Sequence, residues 1–172
     1  MGKKENYVED YLVKQCKKEG FLVYKFTSPG TNGVPDRMII TDNNVFFIET
    51  KARGETTRKL QNAIIKQMRK EGSIVFVADT REEIDDILKI YSLKKKLPLK
   101  DFIKEIREIK GINRRDLAKK ANINHTTLFR IENGESNMPD IKILYKLAKA
   151  LDIPYQILID LTIENIKDGP HE

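Results

Sequence analysis

Apolar residues in the first half of the chain alternate between two spacings. In "ENYVEDYLVKQCKKEG" the residues Tyr7, Val8, Tyr11, Leu12 and Cys16 recur at helical intervals, and Gly20 stops the run. "FLVYKF" reads as a strand, and the loop after it, "TSPGTNGVP", is rich in Gly, Pro, Ser and Asn. "DRMIIT" and "VFFIETKA" form a predicted hairpin around the turn "DNN". A helix is expected from about Thr57 to Glu71, with Leu60, Ile64, Ile65 and Met68 on one side. "SIVFVAD" is a further strand and "REEIDDILKIYS" a further helix. The order α-β-β-β-α-β-α predicts an α/β fold, a mixed central sheet flanked by helices.

The texture changes at "LKKKLPLK", where Lys94, Lys95, Lys96 and Pro98 make a basic, helix-breaking joint. Beyond it the pattern holds no strand, only short helices at about 99–110, 114–121, 125–132, 139–151 and 154–165. The expected organisation is an α/β domain over residues 1–92, a basic linker over 93–98 and an all-α domain over 99–165. A chain of 172 residues accommodates two small domains, and 40% hydrophobic with 34% charged residues is a globular composition. Cys16 is the one cysteine, so an internal disulfide is excluded, and its place on an amphipathic helix makes it an inert, semi-buried thiol. No apolar run approaches the ~20 residues of a membrane span, and the polar start "MGKKENY" lacks the hydrophobic stretch of a signal peptide. The chain reads as cytoplasmic, with no membrane partner.

The hairpin carries the chemistry. Side chains two apart on a strand share a face, so Glu49 and Lys51 project together while Ile48 and Thr50 face the other way. Asp36 opens the neighbouring strand behind the stiff Val34-Pro35 pair, and the short turn brings it beside Glu49. Two carboxylates this close repel unless a cation lies between them, and hard oxygen donors suit Mg²⁺ or Mn²⁺. A lysine beside such a metal orients an attacking water and offsets charge building on a phosphate, as metal-assisted phosphodiester hydrolysis requires. The plainer alternative is an exposed Asp and a Glu–Lys ion pair on a solvated sheet face. Against it, the flanking Val45, Phe46, Phe47 and Ile48 place the pair near a core edge.

The run "YLVKQCKKEGFLVYKFTSPGTNGVPDRMII…VFFIETKARG…LQ" resembles the VRR-NUC nucleases of the PD-(D/E)XK superfamily, over about residues 5–90. By that resemblance the metal-binding acid falls on Asp36, the second acid on Glu49, the lysine on Lys51 and a helix glutamine on Gln61, where it positions phosphate or water. The first helix of this superfamily often supplies a further metal-binding acid, here Glu5 by best alignment, with Glu9 as the alternative. Lys25, Ser28 and Arg37 match the pattern too, Lys25 and Arg37 as phosphate contacts or structural residues. Thr50 replaces a more usual apolar residue, with its side chain expected to face away from the acid–lysine pair.

In the second half, "INRRDLAKKANINHTTLFRIENG" has a helix–turn–helix cadence: Leu117 and Ala118 face inward, Ala121 and Ile123 pack the turn, and Leu128 and Ile131 anchor the next helix behind the N-cap Asn124. Residues 94–135 hold 12 basic against 6 acidic side chains, and residues 136–172 hold 4 against 6, so the chain's net charge of +6 is concentrated where DNA would be met. Residues 99–158 resemble the Xre/Cro-type helix–turn–helix domain, including the "IENG" close and Pro139 at the start of the next helix. The resemblance implies DNA-binding roles for Arg114, Asn124, His125, Thr126, Thr127 and Arg130, with the recognition helix starting near His125. Glu132 is expected to bond within the module.

Together these resemblances imply a Mg²⁺-dependent DNA endonuclease, with Mn²⁺ able to substitute, carrying its own DNA-binding module. They favour branched DNA such as junctions or flaps, a homodimer, and a bacterial or phage-encoded origin. Two alternatives remain open: a DNA-binding regulator that uses an inactive nuclease fold to dimerise, and a sequence-specific restriction-type endonuclease.

Overall fold

The computed structural model describes residues 3–41, 43–136 and 138–167, with side chains over 7–41, 43–136 and 138–165. The chain resolves into two compact units, Met1–Tyr91 and Ser92–Glu172.

The first unit runs α1 (Lys3–Lys18), β1 (Leu22–Lys25), β2 (Arg37–Thr41), β3 (Asn44–Thr50), α2 (Lys59–Lys70), β4 (Ile74–Ala78) and α3 (Arg81–Lys94), of which residues 92–94 belong to the second unit. The four strands form one sheet in the order β1-β2-β3-β4. β1–β2 and β2–β3 are antiparallel, whereas β3 and β4 are parallel, which makes α2 the crossover that parallel neighbours require. Alternation divides the sheet into two faces. Ile39, Phe46 and Ile48 share one face and are fully buried, together with Val8, Leu12 and Cys16 of α1 and Ile84, Leu88 and Tyr91 of α3. Phe46 stacks on Tyr91 with ring centroids 4.0 Å apart, and Phe76 meets both rings edge-on. The opposite face is covered only in part: Ile65 of α2 is buried and Arg69 donates to the Val75 carbonyl, while Leu22, Tyr24 and Val45 stay exposed. Asp42 of the expected "DNN" turn lies outside the described residues.

The second unit is helical throughout its described residues: α4 (Leu99–Ile109), α5 (Arg114–Lys120), α6 (His125–Glu132), α7 (Ile141–Leu151) and α8 (Tyr155–Lys167). Three helices begin at side-chain caps, with Asn113, Asn124 and Asp140 accepting from the backbone N–H of Asp116, Thr126 and Lys142. Asp140 is the cap, so α7 begins two residues after Pro139, the residue the sequence reading takes as its start. Leu99, Phe102, Ile103, Leu117, Leu128, Leu147 and Leu158 fill the core. Within the basic joint, Lys94 closes α3, its ammonium is buried and bonded to Asp160 (2.8 Å), and Pro98 stands at the head of α4.

Candidate functional site

The end of β3 is where the candidate residues gather. Arg37 pairs with Ile48, so continuing the register sets Asp36 opposite Glu49. Phe26 N–H donates to the Asp36 carbonyl (2.8 Å), carrying the β1–β2 ladder one residue past the strand. The Asp36 carboxylate then takes the place of the next ladder acceptor: its Oδ2 receives both the backbone N–H of Thr50 (2.9 Å) and the Thr50 hydroxyl (2.9 Å). The expectation for Thr50 is only that it faces away from the Glu49–Lys51 pair; its hydroxyl is bonded to Asp36.

Glu49 is fully buried and Lys51 nearly so. Their side chains form an ion pair at Glu49 Oε1, the same oxygen that accepts from Gln61 Nε2 at 2.7 Å. The Lys51 ammonium also donates to Gln61 Oε1 (3.2 Å), closing a three-residue ring, and Gln61 Oε1 accepts from Arg58 N–H (3.2 Å) at the start of α2. Glu49 Oε2 is buried with no hydrogen-bond partner. Burial raises the Glu49 carboxyl above its ordinary range, and the charge on Asp36 adds to the rise, while Lys51 pulls the other way through its hydrogen bond and its charge.

Gln61 reaches Glu49 because α2 starts against the loop before Asp36. Gly33 there has φ +91°, and a Cβ on it would lie 3.2 Å from both Cα and N of Gln61. Only glycine tolerates that backbone and that approach together. The sequence did not single out Gly33, and it marked Thr50 only as a departure from the usual apolar residue. A glycine immediately before Val-Pro-Asp was the available signal for the first, and a hydroxyl on the residue beside Glu49 for the second.

Other expected residues are placed differently. Arg37 Nε is bonded to Glu9 (2.8 Å), so each of these two has the other as partner. Lys25 is exposed on β1 and Ser28 half-buried in the loop after it. Glu5 lies on α1, but its side chain is outside the described residues. Among the described residues no cluster of three metal-ligating side chains occurs.

In the helical unit, His125, Thr126 and Arg130 are exposed on α6 and Thr127 is half-buried. Asn124 spends its side-chain oxygen on the cap of that helix. Arg114 lies over the Phe129 ring (5.1 Å) and donates from Nε to Glu132 Oε2 (2.7 Å). Glu132 also receives Arg107 (2.8 Å from Nε), which raises the Arg107 guanidinium chiefly through that hydrogen bond. Glu132 thus bonds within the module, as expected.

Residues 103–158 match the helix–turn–helix family. A phage protein named "Putative nuclease p44", from Acyrthosiphon pisum secondary endosymbiont phage 1, is 36% identical over 80 residues, which is 46% of this chain and 86% of that protein. Among solved structures, a VRR_NUC domain is similar with a TM-score of 0.49 and 27% identity, covering 51% of this chain and 97% of the other. The N-terminal DNA binding domain of SinR from Bacillus subtilis is similar with a TM-score of 0.35 and 30% identity, covering 43% of this chain and 96% of that one. No helix among the described residues is long and apolar enough to cross a membrane. The identity shared across most of the phage protein makes this chain a member of the same family as that putative nuclease, with a helix–turn–helix domain over residues 103–158.

Proposed function

We propose that the chain is a Mg²⁺-dependent DNA endonuclease, able to use Mn²⁺, that hydrolyses phosphodiester bonds in branched DNA. The observation that carries this reading is the buried ring of Glu49, Lys51 and Gln61 beside Asp36. The donor set fits a hard divalent cation. Glu49 Oε2 is buried and lacks a hydrogen-bond partner, and Thr50 occupies only one oxygen of Asp36. Asp36 and Glu49 would hold the metal, which when bound neutralises charge at the phosphate and makes its water more acidic.

The chain's own residues do the rest. Thr50 fixes the Asp36 carboxylate, and Gln61 and Lys51 fix Glu49. Lys51, held by Glu49 and Gln61, has a third N–H with which to orient the attacking water or meet a phosphate oxygen. The helix–turn–helix domain supplies grip, through His125, Thr126 and Arg130 on the open side of α6. In functional terms residues 1–92 are the nuclease domain and 99–165 the DNA-binding domain. Branched DNA as substrate and a homodimer as working form rest on the family resemblance; the exposed Leu22, Tyr24 and Val45 offer an apolar sheet face for pairing.

The experiment is cleavage of labelled linear duplex, flap and four-way-junction DNA with Mg²⁺, Mn²⁺ or EDTA, alongside Asp36→Asn and Lys51→Ala. Metal-dependent cutting of the branched DNAs, lost in both variants, is the expected result. Cutting of plain duplex at particular sequences would move the reading to a restriction-type enzyme. Binding to every DNA without cutting under any metal would make the chain a regulator.

A further inference from the structure

β3 and β4 are parallel, so their C-terminal ends lie side by side, with Lys51 N–H donating to the Ala78 carbonyl (2.9 Å). The chain leaving Lys51 is tied to the chain leaving β4 once more, where Gly54 N–H donates to Asp79 Oδ2 (2.8 Å). Around this junction is a pocket of about 580 Å³, lined by Tyr7, Val8, Arg53, Asp79, Arg81 and their neighbours. That volume falls within the roughly 300–1,000 Å³ typical of small-ligand sites.

Arg81 sets the pocket's character. Its guanidinium lies over the rings of Tyr7 (3.9 Å) and Tyr11 (4.7 Å), and among the described residues no carboxylate pairs with it. Its Nε–H is buried without a hydrogen-bond partner. Tyr11 is anchored behind it by a hydroxyl that donates to both carboxylate oxygens of Asp85. An arginine held by aromatic faces keeps its N–H groups for an anion. Arg53, exposed and two residues past Lys51, adds a second cation, and Tyr7 is 55% exposed, with ring surface left for a planar group. Asp79 and Glu82 keep the pocket from being uniformly basic. A nucleotide combines the anion and the planar ring that these groups recognise.

We propose that this pocket is a nucleotide subsite, receiving one unpaired nucleotide of the DNA strand beside the bond being cut, its phosphate on Arg53 and Arg81 and its base against Tyr7. The proposal rests on the nuclease reading and adds to it a reason for preferring DNA with unpaired strands. It uses residues outside the Asp36, Glu49, Lys51 and Gln61 group.

The test uses the full chain. Cleavage of flap DNA is measured for the wild type, Arg53→Ala and Arg81→Lys. In parallel, 2-aminopurine is placed at successive positions around the cut, and its fluorescence is read on the non-cutting Asp36→Asn chain with and without Tyr7→Leu. Expected is a fall of about tenfold in kcat/KM for both arginine variants, as for loss of a charge-assisted phosphate contact. Fluorescence should be quenched at one position and recover with Tyr7→Leu. Wild-type cutting with unchanged kcat/KM in the variants would overturn the subsite and leave the nuclease standing. A fall in kcat/KM with no position-specific quenching would overturn it too, placing the arginines on the backbone of a paired strand. If the wild type cuts nothing, the nuclease reading fails and the subsite falls with it.

Discussion

Thr50 holds Asp36 with two donors, and they can be separated by mutation. Thr50→Val keeps the backbone N–H and the β-branched shape but removes the hydroxyl. A neutral hydrogen bond contributes about 1 kcal/mol, so cleavage should fall roughly fivefold if the loosened Asp36 costs as much in the transition state, with the melting temperature lowered by only a few degrees. Gly33→Ala should behave differently. The added Cβ meets the Gln61 backbone at 3.2 Å in a backbone conformation that L residues avoid, so a loss of about 1–3 kcal/mol in stability should accompany the loss of cutting. Thermal denaturation beside the cleavage assay tells the two apart. Cys16 gives a third check. Burial pushes its thiol up to about 12, against an ordinary value of 9.0. The unfolded thiol ionises first as pH rises, so Cys16 favours the fold below its ordinary value and loses that contribution as pH climbs toward the raised one. A thiol reagent at pH 8 should therefore leave native protein unmodified and react once it is unfolded. At this scale the residue pattern points to Asp36, Glu49 and Lys51, because acids and a lysine beside an apolar strand are conspicuous, whereas Gln61 comes only from the family resemblance. It could not show that Arg37 and Glu9 pair with each other, since that depends on how α1 lies against the sheet.

Helices were the most legible elements, because their signals are local. Asn124, an N-cap in sequence, is one in the structure, and Gly20 ends the first helical pattern as read. The parallel pairing of β3 with β4 was less accessible, since it is decided by α2 folding across the sheet rather than by either strand's own residues. Glu132 illustrates what binds one helix to others. It carries Arg107 from α4 and Arg114 from α5, with its side chain fully buried. Removing one partner of a buried pair strands the other charge, at a cost of about 3–5 kcal/mol. Glu132→Gln should thus lower the urea midpoint of the helical unit and weaken DNA binding, although Glu132 itself is buried. Circular dichroism at rising urea, read beside a gel shift, checks this.

Across the whole molecule, charge is distributed unevenly, with the excess of lysine and arginine between residues 94 and 135. DNA binding should therefore weaken steeply with salt, and Arg130→Ala should reduce the slope of log affinity against log salt by about one. An unchanged slope would remove Arg130 from the phosphate contacts. The parallel strand pair has one more consequence, for the chain during its synthesis. Asp36, Glu49, Lys51 and Gln61 are all made before β4, yet the strand that carries Glu49 is an unprotected edge until Ile74–Ala78 arrive beside it, and Lys51 has no backbone acceptor until Ala78 has been added. A growing chain thus carries Asp36, Glu49, Lys51 and Gln61 before the strand that braces the end of β3 exists, so their arrangement waits on the last strand of the sheet.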